Sequence, residues 1–357
     1  MPKYKRVLRA VSETPWALRE DKLADIKAFL TRVSFDGPIT PEALNAEYGS
    51  APERPRMKVG SVEIIPVFGV ISEKVNLMSE FSGGTSTEKL AAQIQKAVDD
   101  KTVGSILLDV DSPGGSVFGV PELADFIMKA REQKRIVAIA HSEAASAAYW
   151  VASAASELVV TPSGMVGSIG VFMAHDDVSK AQEMAGVKTT IIRAGKYKIE
   201  ANPFEPLTEE ARADLQAKTD DYYEMFVRGV AAGRGVDPRT VRSEFGQGRM
   251  VMAAAAKEQK MVDRVATFDA TLGRMLVRSA RQSGDHSAFE TVRDFEAFLR
   301  DEGGLSNTAA KKLAAVGFED REQPPRDGDV APVTLTGVED QEGLSALRAF
   351  SGQVNTR

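Results

Sequence analysis

The 357-residue sequence contains no cysteine. Disulfides, thiol nucleophiles and thiolate metal sites are therefore excluded. The absence fits a reducing compartment and an expected cytoplasmic location. Histidine is scarce too. His141, His175 and His286 are the three present, and a three-histidine metal site would need all of them. Long apolar runs are missing. The longest candidate, Ala144 to Ala155, falls short of the roughly 20 residues that span a bilayer. The opening stretch, MPKYKRVLRAVSETPWALRED, has no apolar core of signal-peptide type. Positive charge is not in excess. The net charge of −6 gives no reason to expect a nucleic-acid partner.

What is present reads as an α/β protein with appendages. Hydrophobic residues at 43% and charged residues at 27% fit a globular chain. Residues 1–55 read as a helical appendage and linker, with Leu23, Ile26, Phe29 and Leu30 on one helix face and turn formers over 48–57. From Val59 onward, strands alternate with helices, which implies parallel pairing. VEIIPVFGVI (62–71), Val103–Val110, Ile136–Ala140, Glu157–Val160 and Lys188–Arg193 read as strands. SGGTS (82–86) reads as a loop, and SGMVGSIGVF (163–172) as loop then strand. Thr87–Asp99, the segment after Pro121, Asp177–Ala185 and a long stretch capped by Thr208 read as helices. MVDRVATF, after a helix over Ala253–Lys260, is placed to close the sheet. Beyond residue 270 the composition turns polar. Residues 270–317 are expected as a helical extension, with a helical pair around Gly303-Gly304. Residues 318–357 are expected as a flexible tail carrying one short helix, Glu342–Phe350.

Three patterns carry chemistry. First, RIVAIAHSEAASAAYWVASAA (135–155) places an apolar strand, a turn at His141–Glu143 and then Ser146 at the entry of an alanine-rich helix. A strand turning sharply into a helix lifts a hydroxyl out of the sheet beside small neighbours, as a nucleophile elbow requires. The plain alternative is a serine in a buried helix. Second, DSPGGS (111–116) follows a strand and precedes a helix. Successive glycines there can aim backbone N–H groups at a developing oxyanion, and they equally make an ordinary turn. Third, a base is needed. His141 precedes Ser146 on the same strand and would not meet the hydroxyl side-on. A neutral lysine can replace it, and Lys196 and Lys198 share one loop in which they repel each other. A chance S-x-x-K, Ser86 to Lys89, sits at a helix start where Ser86 is an ordinary cap.

Taken in order, strand–SPGG–helix, A-A-S-x-x-Y, G-S-I-G-V and G-K-Y-K over residues 58–268 resemble the signal peptide peptidase A family of Ser–Lys proteases. The resemblance implies a ClpP/crotonase-like spiral of βαβ units and a protease domain over 58–268. It implies Ser146 as nucleophile, Lys198 as general base and Ser168 as the hydroxyl that orients it. Gly115 and the Ala147 N–H match the oxyanion hole, with Gly114 adjacent. It also implies a ring-shaped homo-oligomer whose groove takes peptide as an added strand, and no cofactor or metal. The sequence departs from the family at Ala147-Ala148, where Gly-Gly is common; alanine there requires a helical backbone. TPWALREDKLADIKAFL and RDFEAFLRDEGGLSNTAAKKLAAVGF resemble the flanks of phage head maturation proteases of the same family. That points to scaffold, portal or the chain's own tail as substrate, inside an assembling procapsid. The alternatives are a housekeeping protease of the family, a crotonase-type enzyme of CoA thioesters, and a non-catalytic capsid assembly protein.

Overall fold

In the computed structural model, residues 14–36, 56–74, 84–282, 291–301 and 307–319 are described. The elements run β1 (Trp16–Leu18), α1 (Glu20–Asp36), β2 (Met57–Val59), β3 (Val62–Phe68), β4 (Val70–Ser72), β5 (Gly84–Ser86), α2 (Thr87–Asp99), β6 (Ser105–Ser112) and β7 (Gly114–Ser116). They continue with α3 (Val120–Gln133), β8 (Arg135–Ala145), α4 (Ala147–Ser153), β9 (Glu157–Val160), β10 (Met165–Gly167), α5 (Ser179–Met184), α6 (Glu209–Arg234) and α7 (Pro238–Glu244). The last are β11 (Met250–Met252), α8 (Ala253–Glu258), β12 (Arg264–Val265), α9 (Phe268–Gln282), α10 (Val292–Asp301) and α11 (Asn307–Glu319).

The main sheet is ordered β11-β10-β8-β6-β3-β2. Its centre, β3, β6 and β8, is parallel, and so is the pairing of β8 with β9 and with β10. Both faces of this centre are covered, which is why its strands read as continuous apolar runs. Ile106, Leu108, Val110, Ile136, Ala138 and Ala140 face one cluster, shared with α2, α3, α4 and α6. Leu107, Val137 and Ile139 face the other, completed by Leu272, Leu276, Phe295 and Leu299. The polar-looking extension after residue 270 is thus the second layer of the sandwich. Its helix α9 turns Leu272, Met275 and Leu276 to the sheet and Arg274 and Arg278 to solvent, which is why the composition there reads as polar.

The second sheet is ordered β1-β7-β4-β5. Its β1 belongs to the segment expected as an appendage, and it pairs antiparallel with the SPGG strand β7.

Several expectations meet the structure directly. Thr87–Asp99 is helical as expected, with Ser86 accepting from the Lys89 N–H at 3.3 Å as its cap. The loop expected at 82–86 includes a strand instead, because Gly84–Ser86 pairs with β4. The strand expected over Lys188–Arg193 does not form: the stretch is largely exposed, with Ile192 at 95%, and it pairs with no strand of the described sheets. β8 also differs. It does not turn at His141 but runs on to Ala145, because β10 takes over as partner at Glu143–Ala145. The expected tail from 318 onward lies outside the described residues, apart from Phe318 and Glu319, which end α11.

Candidate active site

Ser146 stands alone between β8 and α4. Its backbone is at φ 54°, ψ −119°, outside both the strand and the helix regions. A non-glycine residue held there costs roughly 1–3 kcal/mol and persists only where the surroundings impose it. The surroundings here do so. The Ser146 N–H donates to the Gly167 carbonyl at 2.7 Å, and the Ser146 carbonyl accepts from Trp150 at 3.0 Å, starting α4. One end of the residue is thereby fixed to β10 and the other to the helix. Ala147 and Ala148 are the first helical residues, so the departure from Gly-Gly is accommodated by a helical backbone. The Ala147 N–H is one of the first-turn donors that have no partner inside a helix.

The helix itself is locked. Trp150 stacks on Phe226 of α6 at 4.7 Å, and Tyr149 donates its hydroxyl to the Met261 carbonyl at 2.8 Å. Burial pushes the Tyr149 phenol well above its usual range, so it stays a neutral donor. A side chain at Gly229 would come within 2.1 Å of Trp150 Nε1, which explains a glycine in mid-helix.

The two glycines of DSPGG lie against this serine. Gly114 has φ +98°, and a Cβ on it would fall 3.0 Å from Ser146 Cβ and 2.9 Å from the Ala145 carbonyl. A Cβ on Gly115 would fall 1.9 Å from the carbonyl of Ile71, its partner on β4. Ser168 lies beside the same serine. It directly follows Gly167, whose carbonyl holds the Ser146 N–H, and it too has positive φ, 54°. Its N–H donates to Arg249 at 2.9 Å. The Ser146 hydroxyl donates to the Gly170 carbonyl at 3.5 Å, and the residue is fully buried. Ser146, Ala147, Gly114, Gly115 and Ser168 are therefore brought together.

Lys198 is not brought to them. It lies in a turn closed by its N–H to the Gly195 carbonyl at 3.4 Å, and it is exposed. Among the described residues, no hydrogen bond or ion pair engages its ammonium, and none joins it to Ser146. Lys196 behaves differently. It donates to the Tyr197 hydroxyl and to Glu210 at 3.3 Å, and those bonds hold its pKa above the ordinary lysine value. These bonds favour the protonated form of Lys196, which a base must give up.

His141 is engaged elsewhere. His141 Nδ1 lies 2.8 Å from Asp109 Oδ1, and the ring stacks on Phe268 of α9 at 5.3 Å. Both contacts belong to the α9 face of the sheet. His286 lies outside the described residues. Among the described residues, no group of three or more His, Asp or Glu side chains could hold a metal ion. No described helix is long and apolar enough to cross a membrane.

Sequence reasoning missed the N-terminal contribution. Arg19 donates to Glu143 at 2.6 Å and to Asp21 at 2.7 Å. Chiefly through the Glu143 bond, its guanidinium is held above its ordinary pKa. A three-residue strand such as Trp16–Leu18 carries no detectable periodicity, so only the fold reveals it.

Residues 128–280 match the model of peptidase family S49. The chain is similar to the head-tail preconnector protein GP5 of Enterobacteria phage P21. The two are 37% identical over 221 residues, covering 61% of this chain and 44% of the relative. It is similar to the capsid assembly protease C of Escherichia phage lambda, at 34% over 222 residues, covering 60% and 51%. It is also similar to the chloroplastic serine protease SPPA of Arabidopsis thaliana, at 28% over 208 residues, covering 57% and 30%. The chain spans about half the length of the two phage relatives it matches.

Proposed function

We propose that this chain, whose residues 128–280 form a peptidase family S49 domain, is a serine endopeptidase of phage head maturation. The observation that carries the reading is the strained Ser146 at the β8–α4 junction, pressed against the Gly114-Gly115 strand. In the proposed reaction, Ser146 Oγ attacks the scissile carbonyl carbon. Neutral Lys198 takes the hydroxyl proton and passes it to the leaving amine. Water then cleaves the acyl–Ser146 ester, with Lys198 accepting the water proton and returning it to the departing Ser146 Oγ. The Gly115 and Ala147 N–H groups hold the oxyanion, with Gly114 shaping the approach, and Ser168 orients Lys198. The reaction needs no metal or cofactor.

The exposed position of Lys198 in the single chain is read as an incomplete site. Met184, Val187, Ile192 and Tyr197, all on the same stretch of chain, are exposed at 89%, 40%, 95% and 54%. Apolar side chains gathered in this way support a contact between copies, and a ring-shaped homo-oligomer would supply it. Covering the stretch would desolvate Lys198, which favours the neutral amine that a base requires. For the finer fold we assign a ClpP/crotonase-like spiral over 58–268, supported by parallel strands joined through α2 and α3. Scaffold, portal and the chain's own tail are the proposed substrates, inside an assembling procapsid in the cytoplasm. The names of the two phage relatives support that placing.

The test is intact mass after incubation, for the wild type beside Ser146→Ala, alone and with scaffold and portal proteins. Fragments that appear only with the intact serine are expected. Identical masses in every mixture would contradict the reading and favour a non-catalytic assembly protein.

A further inference from the structure

Strand β1 occupies a slot with two polar edges. On one side lies β7, in the register Trp16↔Ser116, Ala17↔Gly115 and Leu18↔Gly114. The Val117 N–H donates to Pro15 and the Arg19 N–H to Pro113, both at 3.1 Å. On the other side lies Phe172, which exchanges both backbone bonds with Trp16, at 2.9 and 3.0 Å. Without β1, the slot would present the unpaired backbone of the glycine strand on one side and of Phe172 on the other. Such an opening accepts an extended peptide of varied sequence, since backbone groups do the pairing.

The slot ends at the nucleophile. Bonded pairs alternate along an antiparallel ladder. The bonds at Pro15–Val117 and Arg19–Pro113 therefore make Ala17–Gly115 the bonded pair between them. That pairing sets the Gly115 N–H on the Ala17 carbonyl. A single point, the Cβ position of Gly114, lies 2.3 Å from that carbonyl oxygen and 3.0 Å from Ser146 Cβ. Ala17 is fully buried. Its carbonyl thus takes the donor that the proposed oxyanion hole would offer to substrate.

Ala17 packs in the main core, but its two neighbours on the strand do not. Trp16, Leu18 and Leu23 form a separate small cluster with Ile26, Val70 and Phe172. Arg19–Glu143 at 2.6 Å, just after the strand, and Lys27–Asp176 at 2.9 Å, on the following helix α1, pin its C-terminal side. Beyond Ala17 and the backbone ladder, the side chains that hold β1 are one small cluster and two part-exposed ion pairs, and an element with so few side-chain anchors is a candidate for local opening.

We propose that residues 15–19 are a tethered occupant of the peptide slot, which an incoming peptide must displace before it reaches Ser146. The proposal rests on the reading of Ser146 as nucleophile. It is tested on the full chain with two readouts, hydrogen exchange at the Val117 and Phe172 amides and labelling of Ser146 by a fluorophosphonate. Arg19→Glu sets like charges against Glu143; Arg19→Glu/Lys27→Glu releases both pins; Arg19→Glu/Glu143→Arg restores the first pair. Exchange and labelling are expected to rise about tenfold in a released variant, since a competitor lowers reactivity by the fraction of time it occupies the site. The charge-swapped protein should return to wild-type behaviour. A synthetic peptide of residues 14–21 should restore protection and slow labelling. Two results overturn the proposal: both amides exchanging at the wild-type rate in both released variants, or faster exchange with labelling unchanged. If the amides and the peptide respond as expected but no protein is ever labelled, the nucleophile reading falls and the tethered occupant stands.

Discussion

Ser146 carries strain that its neighbours do not share. It sits at φ 54° while Ala147 after it is helical and Ala145 before it is extended. Glycine adopts positive φ without a Cβ clash. Ser146→Gly is therefore expected to raise the melting temperature by a few degrees, from about 1 kcal/mol of net relief. Thermal unfolding checks this, and a fall in melting temperature would show the residue to be unstrained. Gly229→Ala should act in the opposite sense. Its methyl group would be forced onto Trp150, costing about 1–3 kcal/mol of overpacking, visible in the urea midpoint. Much at this scale was legible in the sequence. Ser146 declared itself by an apolar run ending among alanines, and Ser86 by its place at a helix start. The relation of Lys198 to Ser146 was not legible, because it depends on how the loop around 186–200 is covered, not on any local pattern.

Among the elements, β8 and β9 are joined by charge as well as by backbone. Glu157 on β9 accepts from Arg135 on β8 and from Arg264 on β12, the latter at 2.6 Å. Burial pushes this carboxyl up, but the bonds and charges of the arginines outweigh it and hold its pKa below the ordinary value of 4.5. Asp263 is held down in the same way, with Arg234 overcoming burial. For both groups the unfolded chain binds the proton at higher pH than the folded chain. Their contribution to stability is thus present in full above the ordinary carboxyl values. It is lost as pH falls through the depressed ones. Urea midpoints between pH 6 and pH 3 should therefore fall less steeply in Glu157→Gln than in wild type. An unchanged slope would remove Glu157 from the account. Element scale is also where sequence and structure part. β6 was legible because Ile106, Leu108 and Val110 face one cluster and Leu107 the other, with Asp109 the one charged residue among them. Lys188–Arg193 has strand-like residues but lies largely exposed and unpaired with the described sheets. β1 has an edge to join, yet at three residues it is too short for alternation to show. The full length of β8 was hidden by a register shift: Val110 pairs with Ala140 but Ser112 with Ala144, so the polar His141–Glu143 stretch reads as a turn.

For the whole molecule, the account requires that two things happen to one site. The segment around Lys198 must be covered, and β1 must leave the slot. The first makes the rate of Ser146 acylation rise with pH, since only the neutral amine accepts the hydroxyl proton, and removing such a base costs about 10²- to 10⁴-fold. The most direct measurement is the pH profile of fluorophosphonate labelling on the assembled protein, with the adduct located by mass spectrometry, for wild type, Ser146→Ala and Lys198→Met. The account predicts a single adduct on Ser146, a rate that climbs with pH, no adduct in Ser146→Ala, and a slow profile without that climb in Lys198→Met. An adduct on another residue, or a Lys198→Met profile that overlays the wild type, would contradict it.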